Sequence, residues 1–67
     1  MIKVRSNMPI SGKEMLKLYK EHGWQELRQS GSHVTVGKGI RRETIPLHRE
    51  LKKGLEQKLR KRLKGNL

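Results

Sequence analysis

The 67 residues carry 17 Lys and Arg against 6 Asp and Glu, a formal net charge of +11, with 31% hydrophobic residues, no Phe and no Cys. One thin-cored domain is expected, because a chain this short buries only about 60% of the surface its unfolded form exposes; an enclosed substrate cavity, disulfides, thiolate catalysis and cysteine zinc sites are excluded. No apolar run approaches the ~18 residues of a membrane span and no signal peptide is visible. A cytoplasmic protein is therefore expected, and the cation excess calls for a polyanionic partner, either nucleic acid or an acidic protein.

Residues 1–10 form a lead-in segment in which Ile2 and Val4 alternate with Lys3 and Arg5, compatible with a short edge strand or an ordered tail. The first helix is announced by Ser11 as N-cap with Glu14 three residues on, a capping box, and Ile10 and Met15 occupy the staple positions on either side. Met15, Leu16 and Tyr19 make its apolar stripe, with Leu18 at the edge. Gly23 supplies the left-handed C′ position, after which Trp24 is expected to fold back on Tyr19. Three short strands follow, Trp24–Gln29, His33–Val36 and Arg41–Ile45, with Leu27 pointing inward on the first. Ser30-Gly31-Ser32 and Gly37-Lys38-Gly39 are read as the turns between them.

Leu51, Leu55, Leu59 and Leu63 recur every four residues and give the last helix one apolar seam. Gly54 interrupts the pattern: either a turn over residues 48–53 precedes a helix that starts at Gly54, or one helix runs through a poor residue. The first reading is preferred, because Gly is tolerated as an N-cap and costs about 1 kcal/mol inside a helix. Gly65 is read as its stop. Between Arg49 and Lys64 eight basic residues face two acidic ones, a surplus suited to a contact surface. The fold class is α+β, with order α-β-β-β-α and both helices on one face of a three-stranded antiparallel sheet.

Side chains alternate across a strand. With Val34 and Val36 inward, His33, Thr35, Arg28, Arg42 and Thr44 share the open face, where a titratable group stands among cations and hydroxyls. Imidazole, with an unperturbed pKa of about 6.5, serves as acid or base near neutrality. A lone strand histidine is ordinarily a surface residue, and Lys38, Arg41 and Arg42 would equally serve as edge protection. His22 sits at a helix end, where it meets the last carbonyls. His48 follows Pro46 as a turn or helix-start residue. The three histidines do not make a metal-ligand spacing. Parity turns Glu43 inward, with no partner that the sequence names.

Ser11-Gly12-Lys13-Glu14, Gly23-Trp24, Arg28, Gly31-Ser32-His33, Pro46-x-His48 and Leu51-x-x-Gly54 occur in this order. The set resembles the HicA toxins of bacterial and archaeal toxin–antitoxin systems over residues 11–65, and Gly31-Ser32-His33 is its strongest part. Departures are Gly54-Leu55-Glu56 where the family often has Gly-Thr-Leu, Val34 where a second His often stands, and a more basic tail after Leu59. The resemblance implies a double-stranded-RNA-binding-like fold, mRNA interferase activity tied to His33, and neutralisation by a HicB antitoxin.

Together these readings give a metal-independent, cofactor-free ribonuclease with His33 as general acid or base. Arg28, Ser32, Thr35, Lys38, Arg41 and Arg42 are its candidate RNA contacts, and no second catalytic group is assignable. The alternatives are a non-catalytic RNA-binding module of similar fold and a basic adaptor for an acidic protein.

Overall fold

Among residues 10–63, which the computed structural model describes, the chain runs α1 (Gly12–Glu21), β1 (Gln25–Ser30), β2 (His33–Lys38), β3 (Arg41–Pro46) and α2 (Lys53–Leu63). The sheet is antiparallel throughout, in the order β1-β2-β3. The edge strand or ordered tail read at Ile2 and Val4 and the helix stop at Gly65 lie outside the described residues. No helix of the described residues is long and apolar enough to cross a membrane.

Local signals set α1. The Ser11 hydroxyl accepts the Glu14 N–H at 3.1 Å and the Glu14 carboxylate accepts the Ser11 N–H at 2.9 Å, so both halves of the capping box are closed. Gly23, at φ 92°, ends the helix and brings the Trp24 N–H 3.0 Å from the Tyr19 carbonyl. The two rings then meet edge to face, 4.8 Å between centroids.

Met15, Tyr19, Trp24, Val34, Val36, Ile45, Leu51, Leu59 and Leu63 form one core. Both helices contribute to it alongside Val34, Val36 and Ile45, so both cover the same sheet face. The other face is open. The two aromatics also fasten α2: Tyr19 donates its hydroxyl to the Leu59 carbonyl at 2.6 Å, and Trp24 donates its indole N–H to the Leu63 carbonyl at 3.3 Å. Glu26 and Glu43 both pair with Val36 and so point to the helix side. Each meets a helix cation at 3.0 Å, Glu26 with Lys20 and Glu43 with Arg62. Arg62 is thus the partner that the inward Glu43 lacked in the sequence.

Burial, with the nearby Glu43 carboxylate adding to it, pushes the Tyr19 hydroxyl up to about 12. An unfolded tyrosine titrates near 10. The fold therefore favours the protonated phenol, and this contribution is intact below pH 10 and lost as pH rises through about 12. Unfolding free energy should fall by about 1.4 kcal/mol per pH unit across that window. Urea titrations at pH 9 and pH 11.5 should show the drop in wild type and a shallower one in Tyr19→Phe; equal drops would remove Tyr19 as the cause.

The strand bounds, both hairpin turns and the start of α2 differ from expectation: β1 runs Gln25–Ser30 and β3 ends at Pro46. The hairpin turns are the dipeptides Gly31-Ser32 and Gly39-Ile40, with positive φ at each glycine (61° and 64°) and at no other residue type. Glycine at the first central position followed by a residue of negative φ is the pattern of a type II′ turn, whose twist suits a hairpin. Strand β2 consequently continues through Gly37 to Lys38, past the expected end at Val36. Helix α2 begins at Lys53, with Lys52 accepting its first helical bond from the Glu56 N–H at 2.8 Å. Gly54 lies in the opening turn and acts neither as cap nor as break.

Candidate active site

On β2 the buried Val34 and Val36 leave His33 and Thr35 on the open face. Cross-strand pairing arranges that face in rows: Ser30, His33 and Pro46; then Arg28, Thr35 and Thr44; then Gln25, Gly37 and Arg42. Successive rows are about 7 Å apart along the strand. His33, Arg28, Thr44 and Arg42 are exposed and Thr35 is half-buried. Ser32 occupies the turn just before His33, and its carbonyl accepts the Leu47 N–H at 2.6 Å.

Arg42 lies over Gly37 and donates to the Gly39 and Arg41 carbonyls, at 3.0 and 2.9 Å. Leu27 is not inward. The β1–β2 register shifts between Glu26 and Arg28, and Leu27 is the extra residue. A bulge of this kind resets the alternation, so Leu27 is 47% exposed and its side chain covers Gly37 on the open face beside Arg42.

Lys38 and Arg41 do not join His33. Because β2 extends to Lys38, that residue falls on the parity of Val34 and Val36, and its Nζ donates to the His22 carbonyl at 2.8 Å, closing the C-terminus of α1. Arg41, paired with Lys38, shares the side of Glu43 and Ile45, where its charge acts on the Tyr19 hydroxyl together with that of Arg62. The structure therefore gathers His33, Arg28, Thr35, Thr44 and Arg42 on one face with Ser32 at its end, and sends Lys38 and Arg41 to the other.

The three histidines separate cleanly. His22 Nδ1 lies 2.9 Å from the Leu18 carbonyl, a helix-end role. His48 is brought beside His33, with ring centroids 6.1 Å apart and planes at 75°. Among the described residues neither imidazole has a protein hydrogen bond. Sequence reading missed this neighbour. Pairing β2 with β3 about Gly39-Ile40 puts Pro46 opposite His33, with His48 two residues beyond; a turn at Gly37-Lys38-Gly39 puts Glu43 there instead. Among the described residues no three His, Asp or Glu side chains gather as a metal site.

Ile10, Glu14, Lys17, Leu18, Glu21 and Arg60 line a shallow groove on the helix side. None of the candidate residues borders it.

No curated protein and no solved structure matches the chain. The family model described as HicA toxin of bacterial toxin-antitoxin matches residues 12–64, a span that holds both helices, all three strands, His33 and His48. With most of its length under that match, the chain belongs to the HicA toxin family.

Proposed function

We propose that this toxin is an endoribonuclease that cleaves messenger RNA on the open sheet face, with His33 as a general acid or base. The observation that carries the reading is the exposed His33 imidazole, free of hydrogen bonds among the described residues, on a face that also holds Arg28 and Arg42. Cations beside the acid–base group suit a phosphodiester, since they attract the backbone and offset charge developing on the phosphorus oxygens. Thr35 and Thr44, paired across the same face, offer hydroxyls to phosphate or sugar. Ser32 reaches the same end of the face. The chain needs no metal in this scheme, so EDTA should leave cleavage unchanged. An activity that stops on chelation and returns with Mg²⁺ would overturn the reading.

The partner proposed is a HicB-like antitoxin that covers this face, meeting the toxin in the cytoplasm. A cationic open face is best silenced by an acidic surface or by an added strand at the sheet edge. A purified complex should therefore lose RNA binding together with cleavage, and a complex that cleaves as fast as free toxin would refute the occlusion.

Phosphate contacts release counterions, so affinity for single-stranded RNA should fall with salt by a slope of about −0.7 per contact. Arg28→Ala and Arg42→Ala should each weaken binding to all sequences and flatten that slope by about 0.7. A slope that either variant leaves unaltered removes that arginine from the interface. A non-catalytic RNA-binding module would show the same salt dependence without any strand scission, so the cleavage assay separates the two functions.

A further inference from the structure

The loop from Pro46 to Leu51 is sewn into place on both sides. Leu47 donates its N–H to the Ser32 carbonyl at 2.6 Å, the Gly12 N–H reaches the His48 carbonyl at 2.9 Å, and Leu51 donates to the Ile10 carbonyl at 2.9 Å. Leu51 is buried at its far end. The backbone of His48 is thus fixed from the turn before β2 and from the first turn of α1, while its side chain stays exposed beside His33. Neither imidazole has a hydrogen bond among the described residues, so neither is committed to holding the fold.

We propose that His48 is the second catalytic group, completing with His33 an acid–base pair for RNA transesterification. The proposal rests on the ribonuclease reading above and supplies the proton donor or acceptor that His33 alone lacks. An imidazole nitrogen acts on atoms about 3 Å away. Two rings with centroids 6.1 Å apart can both touch one phosphodiester lying across them.

One imidazole takes the proton of the ribose 2′-hydroxyl as its oxygen forms a bond to phosphorus. The bond from phosphorus to the 5′-oxygen breaks, and the other imidazole, protonated at the start, delivers its proton to that oxygen. The products are a 2′,3′-cyclic phosphate and a 5′-hydroxyl end. Exchange with water restores the two protonation states, and no co-reactant is consumed. The chemistry also confines the substrate class to RNA, since a strand without the 2′-hydroxyl has no internal nucleophile.

Wild type, His33→Ala, His48→Ala and His48→Gln should be compared on an RNA oligonucleotide and on a ribonucleoside 3′-(4-nitrophenyl phosphate). The leaving group of the second substrate needs no proton. Circular dichroism should show all three variants folded, because both side chains are exposed and the His48 carbonyl that Gly12 uses is retained. On RNA each variant should lose about 10²–10⁴ in rate, the worth of one acid or base. On the aryl ester the variant that lacks the acid should recover to within about tenfold of wild type, and the variant that lacks the base should stay slow. Products should end in cyclic phosphate. His48 variants that cleave RNA as fast as wild type overturn the pair while leaving the ribonuclease reading intact, as do His33 and His48 variants equally slow on both substrates. Wild type inert on both substrates overturns that reading and the pair with it.

Discussion

His33→Ala will fold like wild type and lose RNA cleavage and growth arrest together. The imidazole is exposed at the start of β2, and no hydrogen bond among the described residues depends on it. Removing it creates no cavity and leaves no buried partner unsatisfied, so the stability change should stay within about 0.5 kcal/mol. The catalytic change should be far larger, about 10²–10⁴ in rate. The loss should fall in kcat, because the proposed RNA contacts on the same face, Arg28, Arg42 and the hydroxyl row of Thr35 and Thr44, are retained. Melting curves, single-turnover cleavage and RNA binding on the same preparations separate the three quantities. A variant that binds and melts as wild type but no longer cuts is the expected result. One that cuts at the wild-type rate would move the chemistry elsewhere on the face.

What the sequence made legible was local or periodic. Ser11 and Glu14 pair three positions apart, Gly23 sits just past the C-cap of a helix, and the leucine seam repeats every turn; each needs only its own neighbourhood. The inward Val34 and Val36 and outward His33 and Thr35 follow from alternation. What stayed hidden was decided between elements. Gly37 and Gly39 are equal candidates for the turn on residue type alone. Gly37 is instead held in the strand, where Leu27 from β1 and Arg42 from β3 occupy the space a Cβ would take. Leu27 turned outward because β1 slips by one residue against β2, a matter of pairing rather than composition. Glu43 found its cation on a helix nineteen positions away. The placement of His48 depended on the same hairpin: the turn at Gly39-Ile40 sets Pro46, the end of β3, opposite His33, so the loop that follows brings His48 beside it. The single misplaced turn therefore concealed the second histidine.

Gly12→Ala will destabilise the protein and slow it as well, although alanine is the better helix former by about 1 kcal/mol. A Cβ on Gly12 would run into the Pro46 carbonyl oxygen and lie 2.6 Å from the Leu47 Cα and 2.9 Å from the Pro46 carbonyl carbon. These are backbone atoms and cannot swing aside as a lysine tip would. Either α1 or the Pro46–Leu51 loop must shift, and the Gly12 N–H to His48 carbonyl bond sits at that contact. Overpacking of this kind costs about 1–3 kcal/mol, and a strained hydrogen bond adds about 1. The steric cost exceeds the propensity gain, leaving about 2 kcal/mol of net destabilisation, or a fall in Tm on the order of 10 °C for a domain this small. Gly54→Ala is the matched control. It lies in the first turn of α2 with nothing within 4 Å of its would-be Cβ, so the same substitution should leave Tm unchanged or raise it through reduced unfolded-state entropy. Where the loop is the part that yields, His48 shifts relative to His33, so with the proposed pair the Gly12 variant should cleave RNA more slowly even at temperatures where it is fully folded, and Gly54→Ala should not. Equal melting temperatures for Gly12→Ala and wild type would show that the helix and loop do not approach as closely as this contact requires.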